Sequence, residues 1–239
     1  MIRFVILILA LLTGSLSLSQ VPGVNVTGGV SVVRGAGARA DNSDSSGAIV
    51  SLRPVSGTPG QPADTARPRF KVVQQHKRFD PHVLAIPAGS IVDFPNLDPF
   101  FHNVFSMFDG KRFDLGLYEA GASHNVTFDR PGIVYIFCNI HPEMSAVVVV
   151  TDTPYYGISD KAGKFSISHV PPGRYVLNVW HERGKPEAPS DFPRQVTITP
   201  ENTSLPAIHL IDSGQLVAPH KNKYGHDYEP AKSAGPTYK

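Results

Sequence analysis

Short runs of alternating apolar and polar residues recur through most of the chain, and turn-forming Pro, Gly, Asn or Asp residues separate them. Alternation with a period of two predicts half-buried β-strands rather than helices. Two strands are predicted near the N-terminus, over 24–33 and 48–55. More strands follow in the middle of the chain, over 70–74, 83–86, 90–94, 103–107, 124–128, 133–137 and 146–151. Such closely spaced short strands predict a β-sandwich.

After Pro154 the pattern changes to strands joined by two Gly-containing turns. Four more strands are predicted, over 165–168, 174–180, 195–199 and 207–211. The segment 56–68 is rich in Pro, Gly and small polar residues, which is typical of a linker. We therefore expect an all-β protein with four divisions after the first 19 residues: N-terminal strands in 20–66, a first sandwich in 67–152, a second, small sandwich in 153–212, and a mobile tail over 213–239, which has no apolar period.

The first 19 residues have a pattern of their own. A basic residue, Arg3, precedes the apolar run 4–12, and small residues follow at 17–19. This order is typical of a secretory signal peptide. A membrane anchor is the alternative, but the apolar run is about half the ~20 residues that a spanning helix needs. We therefore expect a periplasmic or secreted protein, attached to a membrane only if the signal stays uncleaved.

Composition excludes several classes of functional site. The chain has 239 residues, with 21 Gly, 22 Pro and a single cysteine, Cys138. One thiol excludes an internal disulfide framework, and it excludes any cysteine-rich zinc or iron–sulfur site built from this chain alone. A formal charge of +2 with dispersed Lys and Arg indicates no nucleic-acid surface. The sequence contains no Gly-rich phosphate loop and no His-Glu-x-x-His motif, and we expect no enzymatic activity.

The most informative segment surrounds that cysteine. Cys138, His141 and Met144 fall within seven residues, on a loop between two Val- and Ile-rich strands, and His102 lies 36 residues before the cysteine at the head of another strand. Two imidazoles and a thiolate in one plane, with a weak axial thioether, suit copper. Zinc would more often take a fourth strong ligand or a water molecule. The alternative is a buried inert thiol with two unrelated histidines.

The segment 68–152 resembles the cupredoxin, or blue-copper, family of plastocyanin and amicyanin. The resemblance rests on 86–96, on the first-histidine motif at 99–104 and on the short Cys-x-x-His-x-x-Met loop. It is closer still to bacterial exported proteins labelled methylamine-utilisation or plastocyanin-like, whose pattern appears over 94–106. This resemblance implies a cupredoxin Greek-key β-sandwich that binds one type 1 copper ion.

The resemblance also implies roles for individual residues. The copper ligands would be His102, Cys138, His141 and Met144. His141 would lie at the surface and serve as the port for electrons. Asn103 would connect the two ligand-bearing loops by hydrogen bonds. Pro142 would stiffen the chain directly after His141.

The segments on either side resemble a carboxypeptidase regulatory-like sandwich of the transthyretin, or prealbumin, type. The resemblance rests on four segments, 26–30, 48–52, 159–165 and 170–175. In that family a short loop joins the first two strands to the turn found here at 159–165, whereas here the copper segment intervenes. We therefore expect a nested architecture, in which strands at 24–55 pair with strands at 155–212. The alternative is a short N-terminal extension packed on the copper domain.

The expected set of copper ligands indicates which kind of reaction the site would support. Three strong ligands and a weak axial one leave no open position for a substrate, which suits one-electron transfer with a redox partner protein. We therefore expect an exported type 1 copper protein that is not an enzyme. A copper carrier, or a cell-envelope binding module with a structural or vestigial copper site, uses the same ligands and stays open. A copper oxidase or reductase would need further ligands, such as a His-x-His pattern, which the sequence lacks.

Overall fold

The computed structural model describes residues 23–34, 44–56, 67–107, 110–214 and 220–228. The predicted signal peptide at 1–19 and most of the predicted linker at 56–68 lie outside the described residues. Within them the chain is built of β-strands, with one short 3-10 helix at Pro189–Asp191. The all-β class predicted from the alternating pattern is confirmed. None of the described residues forms a helix of the length and apolar character needed to cross a membrane.

The strands follow one another at short intervals. The first seven are β1 (Val24–Arg34), β2 (Ile49–Pro54), β3 (Arg69–Lys71), β4 (Val73–Gln75), β5 (Arg78–Asp80), β6 (Val83–Pro87) and β7 (Ser90–Pro95). The next five are β8 (His102–Ser106), β9 (Phe113–Tyr118), β10 (Ser123–Phe128), β11 (Gly132–Phe137) and β12 (Ser145–Thr151). The last six are β13 (Tyr156–Ile158), β14 (Lys164–Val170), β15 (Gly173–Trp180), β16 (Gly184–Pro186), β17 (Arg194–Ile198) and β18 (Ile208–Asp212).

The middle strands pack as two sheets, which we call the middle sandwich. One sheet has the order β10-β7-β3, and the other has the order β6-β12-β11-β8-β9. Alternate residues of β7 are buried, as the period-two pattern predicts, and both sheets contribute to one core that contains Phe94, Phe128, Ile136 and Val148. Burial of each such side chain stabilises the fold by about 1.5–3 kcal/mol. Cys138 belongs to the same core, so this sandwich positions the predicted metal-binding segment.

Strands from both ends of the chain form a second pair of sheets, which we call the flanking sandwich. Their orders are β14-β1-β18-β16 and β13-β2-β15-β17. Strand β1 pairs antiparallel with β14 and parallel with β18, and β2 pairs with both β13 and β15. A second core lies among these strands and contains Val30, Leu52, Phe165, Leu177 and Ile208. Both N-terminal strands therefore pair with strands that follow residue 155.

This pairing is the nested arrangement expected from the sequence, rather than an N-terminal extension packed on the middle sandwich alone. The turn at 159–165 shows the connection directly. Gly163 N–H donates to the carbonyl oxygen of Asp160 at 2.8 Å, and the carbonyl oxygen of Gly163 accepts from Val30 N–H of β1 at 2.8 Å. The turn is thus closed within itself and bonded to the N-terminal strand. The exact domain boundaries and the carboxypeptidase-like resemblance stay predictions.

The two sandwiches meet through a third, small apolar cluster. Ile49 of β2 packs with Val147 and Val149 of β12, and Trp180 at the end of β15 lies against them. Val147 and Val149 lie on the opposite face of β12 from Val148, which belongs to the core of the middle sandwich. Because β12 is buried on both faces, it reads as an unbroken apolar run, Ala146–Val150, rather than as an alternating one.

A histidine–carboxylate pair lies beside this cluster. His82 Nε2 is 2.8 Å from Glu182 Oε2, and His82 Nδ1 is 3.0 Å from the carbonyl oxygen of Ser145. The hydrogen bond to Glu182 raises the pKa of His82 above its ordinary value, although burial opposes that shift. The pair joins the chain just before β6 to the chain just after β15, and so it connects the two sandwiches.

The fold differs from the expectations in the tail and in four strands that were not predicted, β5, β9, β13 and β16. The tail over 213–239 was expected to be mobile, but residues 220–228 lie against the middle sandwich, where Lys223 and Tyr228 hydrogen-bond to the cysteine loop. The sequence pattern misses this contact because hydrogen bonds and ring stacking hold the segment, not an apolar period. Strand β9 was also missed, because Gly116, with a φ of 72°, interrupts its pattern.

The nested turn offers a test of the strand pairing. Gly163 has a φ of +76°, and a Cβ at this position would lie 1.9 Å from the carbonyl oxygen of Val30. Gly47, with a φ of +81°, lies in the same sandwich and has open space around it. We expect Gly47→Ala to cost about 1 kcal/mol from backbone strain alone, and Gly163→Ala to cost about 3 kcal/mol because the clash with β1 adds to that strain. Urea unfolding of both variants measures the difference; equal losses would contradict the pairing of β1 with this turn.

The histidine–carboxylate pair predicts a pH dependence of stability. Because the pKa of His82 is raised in the folded state, its contribution is fully present below the unfolded value of 6.5 and is lost as the pH rises through the folded value. We expect His82→Gln to lower the melting temperature more at pH 5.5 than at pH 8.5. The control is His169→Asn, an exposed histidine on β14 with a left-handed φ of 57° that Asn tolerates. A pH-independent effect of His82→Gln would count against the ion pair.

Candidate metal centre

Three predicted ligands come from segments that the sheet brings together. His102 opens β8, and Cys138 directly follows β11. These two strands are antiparallel neighbours, with Phe105 opposite Phe137. Because Phe105 is near the end of β8, the chain that follows β11 runs along β8 towards its beginning, and the loop after Cys138 passes next to His102.

The donor atoms of these residues converge. His102 Nδ1 and His141 Nδ1 are 3.1 Å apart, and Cys138 Sγ lies 3.9 Å from the first and 3.6 Å from the second. His102 and Cys138 are completely buried, while His141 is half-buried. A point equidistant from the three atoms lies about 2.1 Å from each, which is within the range of about 2.0–2.3 Å for metal bonds to imidazole nitrogen and thiolate sulfur. The three side chains thus form a cavity of the size of a metal ion.

A buried carboxylate fixes the orientation of His102. Asp98 is 4% exposed, and its Oδ2 lies 2.8 Å from His102 Nε2. Asp98 also accepts hydrogen bonds from the backbone N–H groups of His76 and Lys77, at 2.7 and 2.9 Å. Burial would raise the pKa of Asp98, but the donors from Lys77, His102 and His76 outweigh it and lower that pKa. The ionised carboxylate accepts a hydrogen bond from Nε2–H, so Nδ1 presents its lone pair to the other two donor atoms.

The cysteine loop is closed by its own backbone. Cys138 N–H donates to the carbonyl oxygen of Met144 at 3.2 Å, and Met144 N–H donates to the carbonyl oxygen of His141 at 3.0 Å. Met144 is completely buried and packs in the same core as Cys138. The loop therefore holds all three potential donors, thiol, imidazole and thioether, within two interlocked turns.

The thiol lies in a mixed environment. Burial raises the pKa of Cys138, and backbone N–H groups of Asn103, Ile140 and His141 act against that shift. The net shift is upward, so the thiol keeps its proton unless a cation replaces it. Metal binding would supply that cation and release the proton. The three backbone donors remain available to the sulfur after the exchange.

His141 is suited to act as a neutral ligand. Burial lowers its pKa below the ordinary value, and the neighbouring His102 and Lys77 lower it further. The ring of Phe100 packs against both imidazoles, with centroids 5.2 Å from His102 and 5.8 Å from His141. Exposed apolar residues continue this surface along the two ligand-bearing segments; they are Leu97, Phe100, Phe101 and Ile140, which we call the apolar patch.

The two predicted supporting residues lie in different parts of the site, Asn103 in β8 and Pro142 in the cysteine loop. Asn103 presents its backbone N–H to Cys138, but its side chain does not reach the cysteine loop. Instead, Asn103 Nδ2 donates to Asp114 Oδ1 at 2.7 Å and to the carbonyl oxygen of Gly116 at 2.8 Å, both in β9. The backbone of Asn103 thus connects the segment after His102 with Cys138, and its side chain connects the same segment with β9. Pro142 lies exposed in the turn between His141 and Met144, where its ring restricts the backbone.

Three residues at this site were not predicted. Asp98 lies in a segment of Pro, Asn and Asp, where a carboxylate reads as an ordinary turn residue, although its position four residues before a candidate ligand was a usable signal. Lys223 and Tyr228 contact the cysteine loop from the C-terminal segment, and no local pattern indicates that contact.

Comparison with known proteins gives limited similarity. No protein-family model matches the chain, and no match is found among curated proteins. Among solved structures, a purple cupredoxin from Nitrosopumilus maritimus is 23% identical, covers 34% of this chain and 99% of its own, and has a TM-score of 0.32. A mutant of amicyanin in the Cu(I) form is 20% identical, covers 43% of this chain and 98% of its own, and has a TM-score of 0.33. A copper-containing nitrite reductase from Thermus scotoductus SA-01 is 26% identical, covers 39% of this chain and 25% of its own, and has a TM-score of 0.34.

Proposed function

We propose that the protein is an exported, cupredoxin-like type 1 copper protein that transfers single electrons to and from a redox partner protein and is not itself an enzyme. The observation that carries this proposal is the convergence of two imidazole Nδ1 atoms and one cysteine sulfur within 3.9 Å of one another, on two completely buried residues and one half-buried residue. Two histidines and a cysteine, with a thioether near them, are the donor set that copper electron-transfer sites use.

The donor chemistry fits copper well. His102, Cys138 and His141 would hold the ion, and Met144, buried in the same loop, is the candidate for the weak axial position. A bound copper ion would supply the gain and loss of one electron. The protein supplies the rest: Asp98 fixes the His102 ring, and the backbone around Cys138 holds the sulfur. A rigid, dry donor set that changes little between oxidation states favours fast electron transfer.

The surface suggests where the partner binds. Of the three donors, His141 is the one that is not completely buried. The apolar patch adjoins it through Phe100 and Ile140. An apolar surface around the exposed ligand would let a partner dock closely and separate again, because it makes few strong polar contacts. We propose this face as the electron port. The signal-like pattern at 1–19 supports export to the periplasm or beyond.

A copper carrier is the second candidate, because a half-buried ligand also offers a route for handing over the ion. Repeated oxidation and reduction distinguishes the two functions. A carrier should lose copper to an acceptor protein or chelator on reduction, whereas an electron-transfer protein should keep its copper through many cycles.

Loading with Cu(II) tests the donor set. We expect the wild-type protein to bind one copper ion and to show an intense visible thiolate-to-copper absorption band. Cys138→Ser should lose that band, because Cys138 is the only cysteine in the sequence. Visible and EPR spectra of the two proteins provide the measurement. A wild-type protein that stays colourless and takes up no stoichiometric copper would overturn the proposed function.

The role of Asp98 gives a second prediction. Its negative charge favours Cu(II) over Cu(I), so Asp98→Asn should weaken Cu(II) binding about tenfold and raise the reduction potential by about 59 mV. Asp129→Asn is the matched control, because this carboxylate is 57% exposed and pairs with Lys111 away from the donors. Voltammetry and a Cu(II) competition titration measure both effects. If Asp98→Asn keeps the wild-type potential, Asp98 does not act on the metal through His102.

A further inference from the structure

Residues 220–228, which we call the covering segment, lie on the outer side of the cysteine loop. The ring of His220 stacks on Phe137 with centroids 3.7 Å apart and an interplanar angle of 15°. The ring of Tyr228 meets His220 edge-on at 5.2 Å. Phe137 immediately precedes Cys138, so the segment covers the end of β11 where the metal-binding loop begins.

Lys223 connects the cysteine loop with β9. Its backbone N–H donates to Asn139 Oδ1 at 3.0 Å, and its Nζ donates to Asp114 Oδ2 at 2.8 Å. The other oxygen of Asp114 accepts from Asn103 Nδ2 at 2.7 Å. A continuous path of side chains thus runs from the residue after Cys138 to the residue after His102. Through Lys223 and Asp114 it adds a second connection between the two ligand-bearing segments, beside the backbone hydrogen bond from Asn103 to Cys138.

Tyr228 holds the cysteine itself. Its hydroxyl donates to the carbonyl oxygen of Cys138 at 3.0 Å. That carbonyl begins the turn from which Ile140 and His141 present their backbone N–H groups to the sulfur. Hydrogen bonds to a ligating sulfur withdraw electron density from it, and so they help to set the reduction potential of a copper–thiolate site. Fixing the outer edge of the turn keeps those inner donors aimed at the sulfur.

We propose that Lys223 and Tyr228 are positioning residues of the metal centre, which hold the loop Cys138–His141 closed from the outside. The effect of these two residues on the reduction potential rests on the proposed copper function, whereas the closure of the loop does not. The covering segment comes from the C-terminal part of the chain, and it completes a site whose donors lie between 102 and 144. Each of the two residues contributes one hydrogen bond to the loop, from Lys223 to Asn139 and from Tyr228 to Cys138.

The first test uses the metal-free, full-length protein. Cys138 is the only thiol and is completely buried, so iodoacetamide reacts with it only when the loop opens. Removing one hydrogen bond worth about 1 kcal/mol should speed that reaction about fivefold in Tyr228→Phe. Lys223→Met removes the ion pair to Asp114 and should give an increase of similar size. Lys221→Met and Asp227→Asn, at exposed positions of the same segment, are the controls and should react at the wild-type rate.

The second test uses the copper-loaded protein. If the loop loosens, the backbone donors to the sulfur weaken and the thiolate donates more strongly to Cu(II). We expect the Cu(II)-to-Cu(I) ratio at a fixed applied potential to rise about threefold in Tyr228→Phe, which corresponds to a reduction potential about 30 mV lower. The release of copper to a chelator should also be faster. EPR spectra should show a changed copper hyperfine coupling, while the melting temperature of the controls stays at the wild-type value.

The outcomes separate the two proposals. Wild-type alkylation rates in both Tyr228→Phe and Lys223→Met would overturn the role of the covering segment, whether or not the protein binds copper. A wild-type protein that takes up no copper, combined with fast alkylation of the two variants, would reject the proposed function and leave the closure of the loop established. Fast alkylation with an unchanged potential would reject the redox part of this inference.

Discussion

The candidate metal centre depends on the antiparallel contact between β8 and β11. Phe105 and Phe137 face each other across that contact, both almost completely buried, with ring centroids 6.0 Å apart. This pairing directs the chain that follows β11 along β8 towards His102, so that His102 and Cys138 meet although they are far apart in sequence. The strand pairing fixes where the two residues lie. Local contacts, such as those that set the tautomer of His102 and the turn after Cys138, then orient the donor atoms.

Chemical identity and local periodicity made the inner part of the site predictable. Cys138, His141 and Met144 share one short loop, and their donor types indicate copper without knowledge of the fold. Strands such as β7 were predictable because alternate residues are buried. The contacts of Asp98, Lys223 and Tyr228 were not, because they depend on which loops meet in space. Asp98 is a carboxylate in a turn, and Lys223 and Tyr228 lie in a polar tail. Neither segment has a hydrophobic period that would indicate a long-range partner.

The groups that hydrogen-bond to His102 and to Cys138 would shift the reduction potential of a bound metal in opposite directions. Asp98 places a negative charge on the far side of His102 and so favours the higher charge of an oxidised metal. The backbone N–H groups of Asn103, Ile140 and His141 withdraw charge from Cys138 and so favour the reduced metal. The potential of such a site is therefore set by a difference between two local influences. Each influence has its own supporting residues, so substitutions at Asp98 and around Cys138 address them separately.

The nested architecture fixes the strand that precedes the covering segment. Strand β18 ends at Asp212 and is paired with β1 throughout its length, and the covering segment begins at His220. Even fully extended, the chain between these two residues spans at most about 28 Å. The flanking sandwich contacts β12 through Ile49 and Trp180. It thereby anchors β18 to the same body that carries the candidate metal centre, and because few residues separate β18 from the covering segment, the loss of entropy when that segment docks is small.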